Sequence, residues 1–284
     1  MLGRGGAESR RGTPQSLNHN GIAFIVPVKN EAQYLICLRY IDALRIPSGY
    51  TVEKIAVFGG SSMAEVYQRA MEASTARYKI YLHVDTYVIH LDLLPELLNL
   101  FMMYPRLGLV GVIGGTQLPS SGWWLDDPEH CYGRVGVYFR PPGLFFGRRV
   151  RVWRCRSFTG DYQPAVQVDG LFMATQFDIP WIHPEFGFEL YDQVQSLEYI
   201  KAGFEVGIVQ QAAIWCRHWG PIQRSSREQL EGRQIAIRRK AEMIRQLYPD
   251  FIGVPATKLY AKYRVAAGRY DVIGACPPFA RRDD

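Results

Sequence analysis

Tyr78-Lys-Ile-Tyr-Leu-His-Val-Asp-Thr-Tyr-Val88 is the stretch on which the fold turns. Tyr78 to Leu82 reads as a buried strand, with His83 and Asp85 two residues apart at its carboxyl end. In extended backbone, residues i and i+2 project from the same face. An imidazole and a carboxylate are therefore expected together at the edge where open α/β sheets bind ligands. The plain alternative is a strand running out into water with polar residues at its mouth. For an isolated Asp that alternative would be preferred; the surrounding chain shifts the balance.

Upstream, Ile22-Ala-Phe-Ile-Val-Pro-Val28 is a continuous apolar run, as expected of a strand covered on both faces. Lys29-Asn30-Glu31 follows, then Leu35, Leu38, Ile41 and Leu44 at helical spacing, stopped by Pro47 and Gly49. Lys54 to Phe58 reads as a second strand. Gly59-Gly60-Ser61-Ser62 is a loop with a serine N-cap for a helix striped by Met63, Val66, Tyr67, Ala70 and Met71. With Tyr78–Leu82 this makes β-α-β-α-β, the pattern of a parallel sheet with right-handed crossovers.

Downstream, a helix is expected over Leu91 to Met103 and a buried strand over Leu109 to Ile113. From Gly114 to Val166, glycine, proline, aromatics and arginine replace helical periodicity, which predicts loops and β-hairpins. Val150 and Val152 alternate with Arg149 and Arg151, giving one strand an arginine face. A helix from Asp192 to Ala202 ends at Gly203, and Phe204 to Val209 is a strand. Ser225 and Ser226, with Glu228 and Gln229, are placed as a capping box for a last helix. Its apolar stripe is Leu230, Ile237, Ala241, Ile244 and Tyr248, and its basic face is expected to be solvated. The tail after Phe251 is expected to wrap or fray.

The chain has 284 residues, 48% hydrophobic and 21% charged, enough for a packed core. The longest apolar candidate for a membrane span, Tyr87 to Met103, is broken by His90, Asp92, Pro95 and Glu96. Met1 to Asn20 is Gly- and Arg-rich, lacks the apolar core of a secretory signal, and reads as a disordered tail. Cys37, Cys131, Cys155, Cys216 and Cys276 are scattered, so neither a disulfide framework nor a zinc cage is expected, and a reducing cytoplasm fits. Seven arginines and no acids lie between Arg134 and Arg156; without them the net charge of +6 becomes −1. The basic character is one local patch, which favours an anionic partner over general nucleic-acid coating.

No G-x-G-x-x-G follows the first strand and there is no Walker A loop, which lowers dinucleotide enzymes and P-loop NTPases. Pro27-Val-Lys-Asn-Glu31 after the first strand and His83-Val-Asp85 after the third resemble the GT-A glycosyltransferases, family 2-like members in particular. Those carry a D-x-D-type metal motif; here His83 stands where the first Asp usually is. Further on, Val168-Asp169-Gly170-Leu-Phe-Met-Ala174, Tyr191-Asp192 and Trp215-Cys-Arg-His218 resemble, in order, the acceptor-side turn, the general-base segment and the late metal histidine. The set is most similar to short bacterial glycosyltransferase-like family 2 proteins. The fold this implies is α/β: a GT-A (Rossmann-like) mixed, mainly parallel sheet flanked by helices, with a β-hairpin and loop acceptor region and a C-terminal helix. Residues 1–20 would be the tail, 21–222 the catalytic domain, and 223–284 a helix and tail packed on it.

The resemblance implies a metal-dependent, inverting transfer of sugar from a nucleotide-sugar donor, UDP-linked as first guess, to an acceptor hydroxyl. A divalent Mn²⁺ or Mg²⁺ would be held by Asp85 and His218, imidazole suiting Mn²⁺ better. Pro27, Asn30, Glu31, Ser61, His83 and Asp85 would face the donor, His83 touching the ribose or supporting the metal. Asp192 would be the base, with Glu189 the rival carboxylate. Trp123, Trp124, Asp169, Gly170 and Glu189 would lie on the acceptor side.

Each assignment has an ordinary counterpart. Asp192 alone would be a helix cap, His218 a core histidine, Asp169 a turn residue, and the two tryptophans loop anchors as readily as sugar platforms. The arginine patch, interleaved with Tyr138, Phe139, Phe145, Phe146 and Trp153, reads as a solvated hairpin or oligomer contact residue by residue. As a whole it leans towards an anionic acceptor, glycan or lipid-linked, or a membrane-surface contact at the cytoplasmic face. The rival functional class is a non-catalytic sugar-nucleotide- or anion-binding module on the same fold; a nucleic-acid-binding role for the patch ranks lower.

Overall fold

The computed structural model describes residues 16–139, 149–220 and 227–264. The chain runs β1 (Asn18–Val28), α1 (Glu31–Asp42), β2 (Thr51–Phe58), α2 (Met63–Ala73), β3 (Ala76–Leu82), β4 (Thr86–Val88), α3 (Leu93–Met103) and β5 (Leu107–Gly111). It continues with β6 (Ile113–Gly115), β7 (Cys131–Phe139), β8 (Arg149–Arg154), β9 (Tyr162–Pro164), β10 (Gln167–Val168) and β11 (Phe172–Thr175). Last come α4 (Tyr191–Lys201), β12 (Glu205–Val209), β13 (Cys216–His218), α5 (Arg227–Leu247) and α6 (Ala256–Tyr263).

The β-α-β-α-β start is present: β1 pairs in parallel with both β2 and β3. The main sheet has the order β2-β1-β3-β11-β5-β12-β9, with β11 antiparallel between β3 and β5. A second sheet, β10-β6-β7-β13-β4 with β8 added on β7, carries the hairpin region. Successive residues of β1 go to opposite cores: Ala23 and Ile25 pack with α2, α4, α5 and α6, whereas Ile22, Phe24 and Val26 pack with α1 and α3. Burial on both faces explains why this strand shows no polar alternation. Each fully buried Ile, Val or Phe of this kind contributes about 1.5–3 kcal/mol.

Several local expectations change. Strand β1 begins at Asn18, inside the stretch read as tail, because Asn18 pairs with Ala76 at the start of β3. The buried residues of α1 are Cys37 and Ile41, with Leu44 just beyond, while Leu35 stays 53% exposed; the stripe is rotated from the one read off the leucines. The chain after Phe251 forms α6 and sends Leu259 and Tyr260 into the core. Tyr260 donates its hydroxyl to the Ala165 and Val206 carbonyls, tying the C-terminal segment to the sheet. The basic face of α5 is not simply solvated: Arg233 pairs with Glu189 at 2.8 Å and Arg238 with Asp126, which pins the helix over the cleft. Ser225 and Ser226, the serines of the expected capping box, lie outside the described residues, as do Arg140, Phe145, Phe146, Arg148 and Cys276.

Cys131 and Cys155 form a disulfide, contrary to the expectation of unpaired thiols. The β7–β8 hairpin folds the chain back so that residues 24 apart in sequence have Cα atoms 5.4 Å apart. Spacing in the sequence gave no sign of this register, and the bond removes the cysteine-based reason for expecting a reducing compartment. Cys37 and Cys216 are free and buried. Among the described residues no helix is long and apolar enough to cross a membrane.

Candidate active site

His83 and Asp85 do not continue β3 in extended form. Strand β3 ends at Leu82, and the His83 carbonyl accepts from the Thr86 amide at 2.9 Å, closing a turn before β4. Their side chains converge because of that turn, not because of strand periodicity. Strand β13 lies antiparallel to β4 with His218 opposite Thr86, and the Trp219 amide donates to the Asp85 carbonyl at 2.7 Å. This pairing carries His218 to Asp85, Nε2 to Oδ1 3.3 Å. One ligand atom from each of His83, Asp85 and His218 falls within 4.8 Å of the other two.

Burial alone would push Asp85 up and His218 down. Their mutual hydrogen bond and charge outweigh it, leaving Asp85 below the usual carboxylate range and His218 above the usual imidazole value. Burial dominates at His83 and lowers it against the pull of Asp169, so that ring stays neutral near pH 7. The His83 Nε2 lies 2.5 Å from the Tyr191 hydroxyl. Two imidazoles and a carboxylate of this kind fit a divalent transition metal.

Asp192 is brought to the same place from the other side. The Leu82–Phe172 pairing of β3 with β11 sets the Asp169-Gly170 turn beside His83, whose amide donates to the Leu171 carbonyl at 3.2 Å. Asp192 is the second residue of α4, and its carboxylate accepts from the Gly170 amide at 2.6 Å and the Gln193 amide at 2.9 Å. The cap position is instead Leu190, held in left-handed backbone at φ 59°, ψ 12°. Such a conformation costs a non-glycine residue on the order of 1–3 kcal/mol, and here it immediately precedes Tyr191-Asp192. Burial, then the charge of Asp169, pushes the Asp192 carboxyl up to about 7 against those two amides.

Two cavities meet at His83, Phe188 and Tyr191. The larger, about 570 Å³, is lined by Pro27, Lys29, Asn30, Gln33, His83 and Asp85 among others. The other, about 370 Å³, is bounded by Trp123, Trp124, Trp153, Asp169, Glu189, Asp192 and His218. Trp124 is buried and stacks on Trp153 with centroids 6.4 Å apart, while Trp123 packs under the Arg238 guanidinium.

Of the residues singled out in the sequence, Glu31, Ser61 and Gly170 lie away from the cavity walls. Glu31 opens α1 and is exposed. Ser61 donates its amide and hydroxyl to Glu65, completing the cap that Ser62 begins on α2. Asn30 lines the larger cavity but spends its side chain capping α1, accepting from Gln33 at 3.1 Å. Gly170 sits behind Asp192, and a Cβ there would strike the Tyr191 ring and Asp192. Glu189 is neutralised by Arg233, whereas Asp192 has no cationic partner among its hydrogen bonds. Sequence reasoning missed Lys29, Tyr191, Phe188, Trp153 and Arg233. Lys29, Phe188 and Tyr191 each adjoin a residue it chose, Trp153 was read only as an aromatic of the arginine-rich patch, and Arg233 only as part of the basic face of the last helix.

The family model described as "Glycosyltransferase like family" matches residues 23–239. No curated protein matches the sequence. Among solved structures, the chain is similar to a mannosyltransferase, PcManGT from Pyrobaculum calidifontis, in complex with GDP-Man and Mn²⁺. That match has 10% identity, covers 90% of this chain and 88% of that one, and has a TM-score of 0.42. Another is the catalytic domain of Drosophila β1,4-galactosyltransferase 7 in complex with xylobiose, at 14% identity, 75% and 79% coverage and a TM-score of 0.42. At that distance neither says what this chain binds. The family match extends from the core of β1 into α5 and takes in both cavities, and on it the chain belongs to the glycosyltransferase-like family.

Proposed function

We propose that this glycosyltransferase takes a sugar from a nucleotide-sugar donor seated in the larger cavity and passes it, with inversion, to an acceptor hydroxyl in the tryptophan-walled cavity. The observation that carries the reading is the meeting of the two cavities at His83 and Tyr191, with Asp85 on the donor side and Asp192 on the acceptor side. Opposed placement of the base and the leaving group is what a single in-line displacement needs.

His83, Asp85 and His218 would hold the divalent ion, with Mn²⁺ fitting the two imidazoles better than Mg²⁺. When bound, that ion supplies Lewis-acid stabilisation of the charge that develops on the departing diphosphate. Lys29, whose ammonium lies 4.4 Å from the Phe188 ring centre in the same cavity, is placed to add a point charge on the donor phosphates. Tyr191 orients His83. Asp192 takes the acceptor's proton as the hydroxyl attacks the anomeric carbon, and Glu189, bound to Arg233, is not available for that role.

A panel of nucleotide sugars, UDP-linked first, titrated with Mn²⁺ and with EDTA tests the reading. Binding and slow hydrolysis of at least one donor, abolished by EDTA, is expected; if no donor binds under either condition, the proposal fails.

Gly170 offers a second check. Alanine there would press on Tyr191 and Asp192 at once. A displacement of about 1 Å at a reacting group can cost about 10²-fold, so Gly170→Ala should lower turnover by about that factor, and the overpacking should also lower its urea midpoint, by about 1–3 kcal/mol of stability.

A further inference from the structure

The arginine face of the hairpin has no part in the reaction just described. Its geometry is fixed by the β7–β8 register: Val135 lies opposite Trp153, Val137 opposite Arg151 and Phe139 opposite Arg149. Val135, Val137 and Trp153 all line the acceptor cavity. Directly paired residues share a face, so Arg151 and Arg149 continue outward along the same wall, Trp153 to Arg151 to Arg149, at about 6.6–6.8 Å per step. Both arginines are exposed, and neither has a carboxylate partner among the described residues.

The cavity floor carries carboxylates. Asp169 and Asp192 line it, and Arg233, the one arginine or lysine among the described lining residues, is paired with Glu189. A negative charge on the sugar that receives the new bond would meet these carboxylates. A negative charge one or more units behind it would lie against Arg151 and Arg149. Guanidinium forks pair carboxylates bidentately, and an indole such as Trp153, 39% exposed, offers a flat apolar face to the intervening ring.

We infer that the acceptor is an acidic oligosaccharide: its terminal sugar enters the cavity uncharged, and carboxylates behind it bind Arg151 and Arg149. The inference rests on the glycosyl-transfer reading above. A bilayer surface is the competing occupant: Val150 and Val152 lie on the hairpin's other face, Trp153 shares the arginine face, and the continuity of that face with the acceptor cavity is what favours the oligosaccharide.

The test compares an oligosaccharide of alternating N-acetylglucosamine and glucuronate, ending at its non-reducing end in the uncharged sugar, with its carboxyl-reduced, neutral counterpart by calorimetric titration of the full chain, at about 50 and about 300 mM salt. Two partly solvated charge pairs are together worth roughly tenfold in affinity. The parent should bind the acidic form about tenfold more tightly at low salt, with the advantage shrinking at high salt. Arg149→Gln combined with Arg151→Gln should remove the preference while leaving affinity for the neutral form unchanged, and lysine at both positions should restore part of it. Equal affinity for the two oligosaccharides, or binding of neither, overturns the inference. So does binding to anionic phosphatidylserine vesicles that the glutamine pair abolishes. Nucleotide titration of the parent separates the failures: a protein that binds UDP but shows no acid preference loses only the acceptor assignment.

Discussion

Replacing Asp192 with asparagine should cut sugar transfer by about 10²–10⁴-fold, the range for loss of a positioned general base, with nucleotide binding left within about twofold. The expectation comes from placement: Asp192 faces the tryptophan-walled cavity and makes no contact with the donor side. Its carboxyl is pushed up to about 7 by burial and by Asp169, a value suited to accepting a proton near neutral pH. The base works ionised, so the parent's kcat should climb about tenfold per pH unit below about 7 and level off above. In the variant that rise should disappear. The same shift has a stability sign. A carboxyl whose folded pKa is raised binds its proton more tightly in the folded chain, so stability falls as pH rises from the ordinary carboxylate range through about 7. Urea titrations at pH 5 and pH 8 should show a smaller loss for the asparagine variant, which stays uncharged. An unchanged rate would return Asp192 to the plain role of holding the Gly170 turn at the start of α4.

Replacing Asp85 with alanine should be the more damaging change to the donor side. It removes the one carboxylate from a set whose other members are neutral imidazoles when they bind metal. Losing an outer-shell partner costs about 10–100-fold in metal affinity, so losing the ligand itself should exceed that, measured by Mn²⁺ titration followed by electron paramagnetic resonance. Metal stabilisation of a departing phosphate is worth several kcal/mol, and each 1.36 kcal/mol is a factor of ten. Turnover should therefore fall by about 10³-fold or more, and EDTA should bring the parent to the same level without affecting the variant further. Parallel His83→Ala and His218→Ala variants sort the remaining ligands. If His83→Ala leaves Mn²⁺ affinity intact but weakens nucleotide binding, His83 is a ribose contact. If all three variants bind Mn²⁺ like the parent, the cluster is not the metal site.

The parts of the fold legible in the sequence were those written by local rules. The apolar run from Ile22 to Val28 is buried on both faces as read, and Ser62 caps α2 with its hydroxyl accepting from Glu65. Gly203 ends α4 at φ 92°. In each case the deciding physics acts over a few residues. The parts read wrongly depended on distant partners. Leu35 has the spacing of a core residue but points to water because the sheet meets α1 at Cys37 and Ile41. Cys131 and Cys155 gave no sign of pairing because only the β7–β8 register brings them together.

The candidate site divides in the same way. The residue types were visible: a carboxylate after the third strand, an acid in a Tyr-Asp pair, a late histidine, and an arginine-rich hairpin. By itself the sequence determined these residue types and the order of the elements that carry them, since both are fixed by side-chain identity and local periodicity. Only the tertiary structure decided which groups share a site. The β4–β13 pairing carries His218 to Asp85 across 133 positions of chain, and the β3–β11 register puts Gly170 and Asp192 beside His83. The physical reason is that local propensity sets φ and ψ residue by residue, whereas convergence depends on strand register and on which faces are buried. Those are properties of the whole packed core and of no single segment.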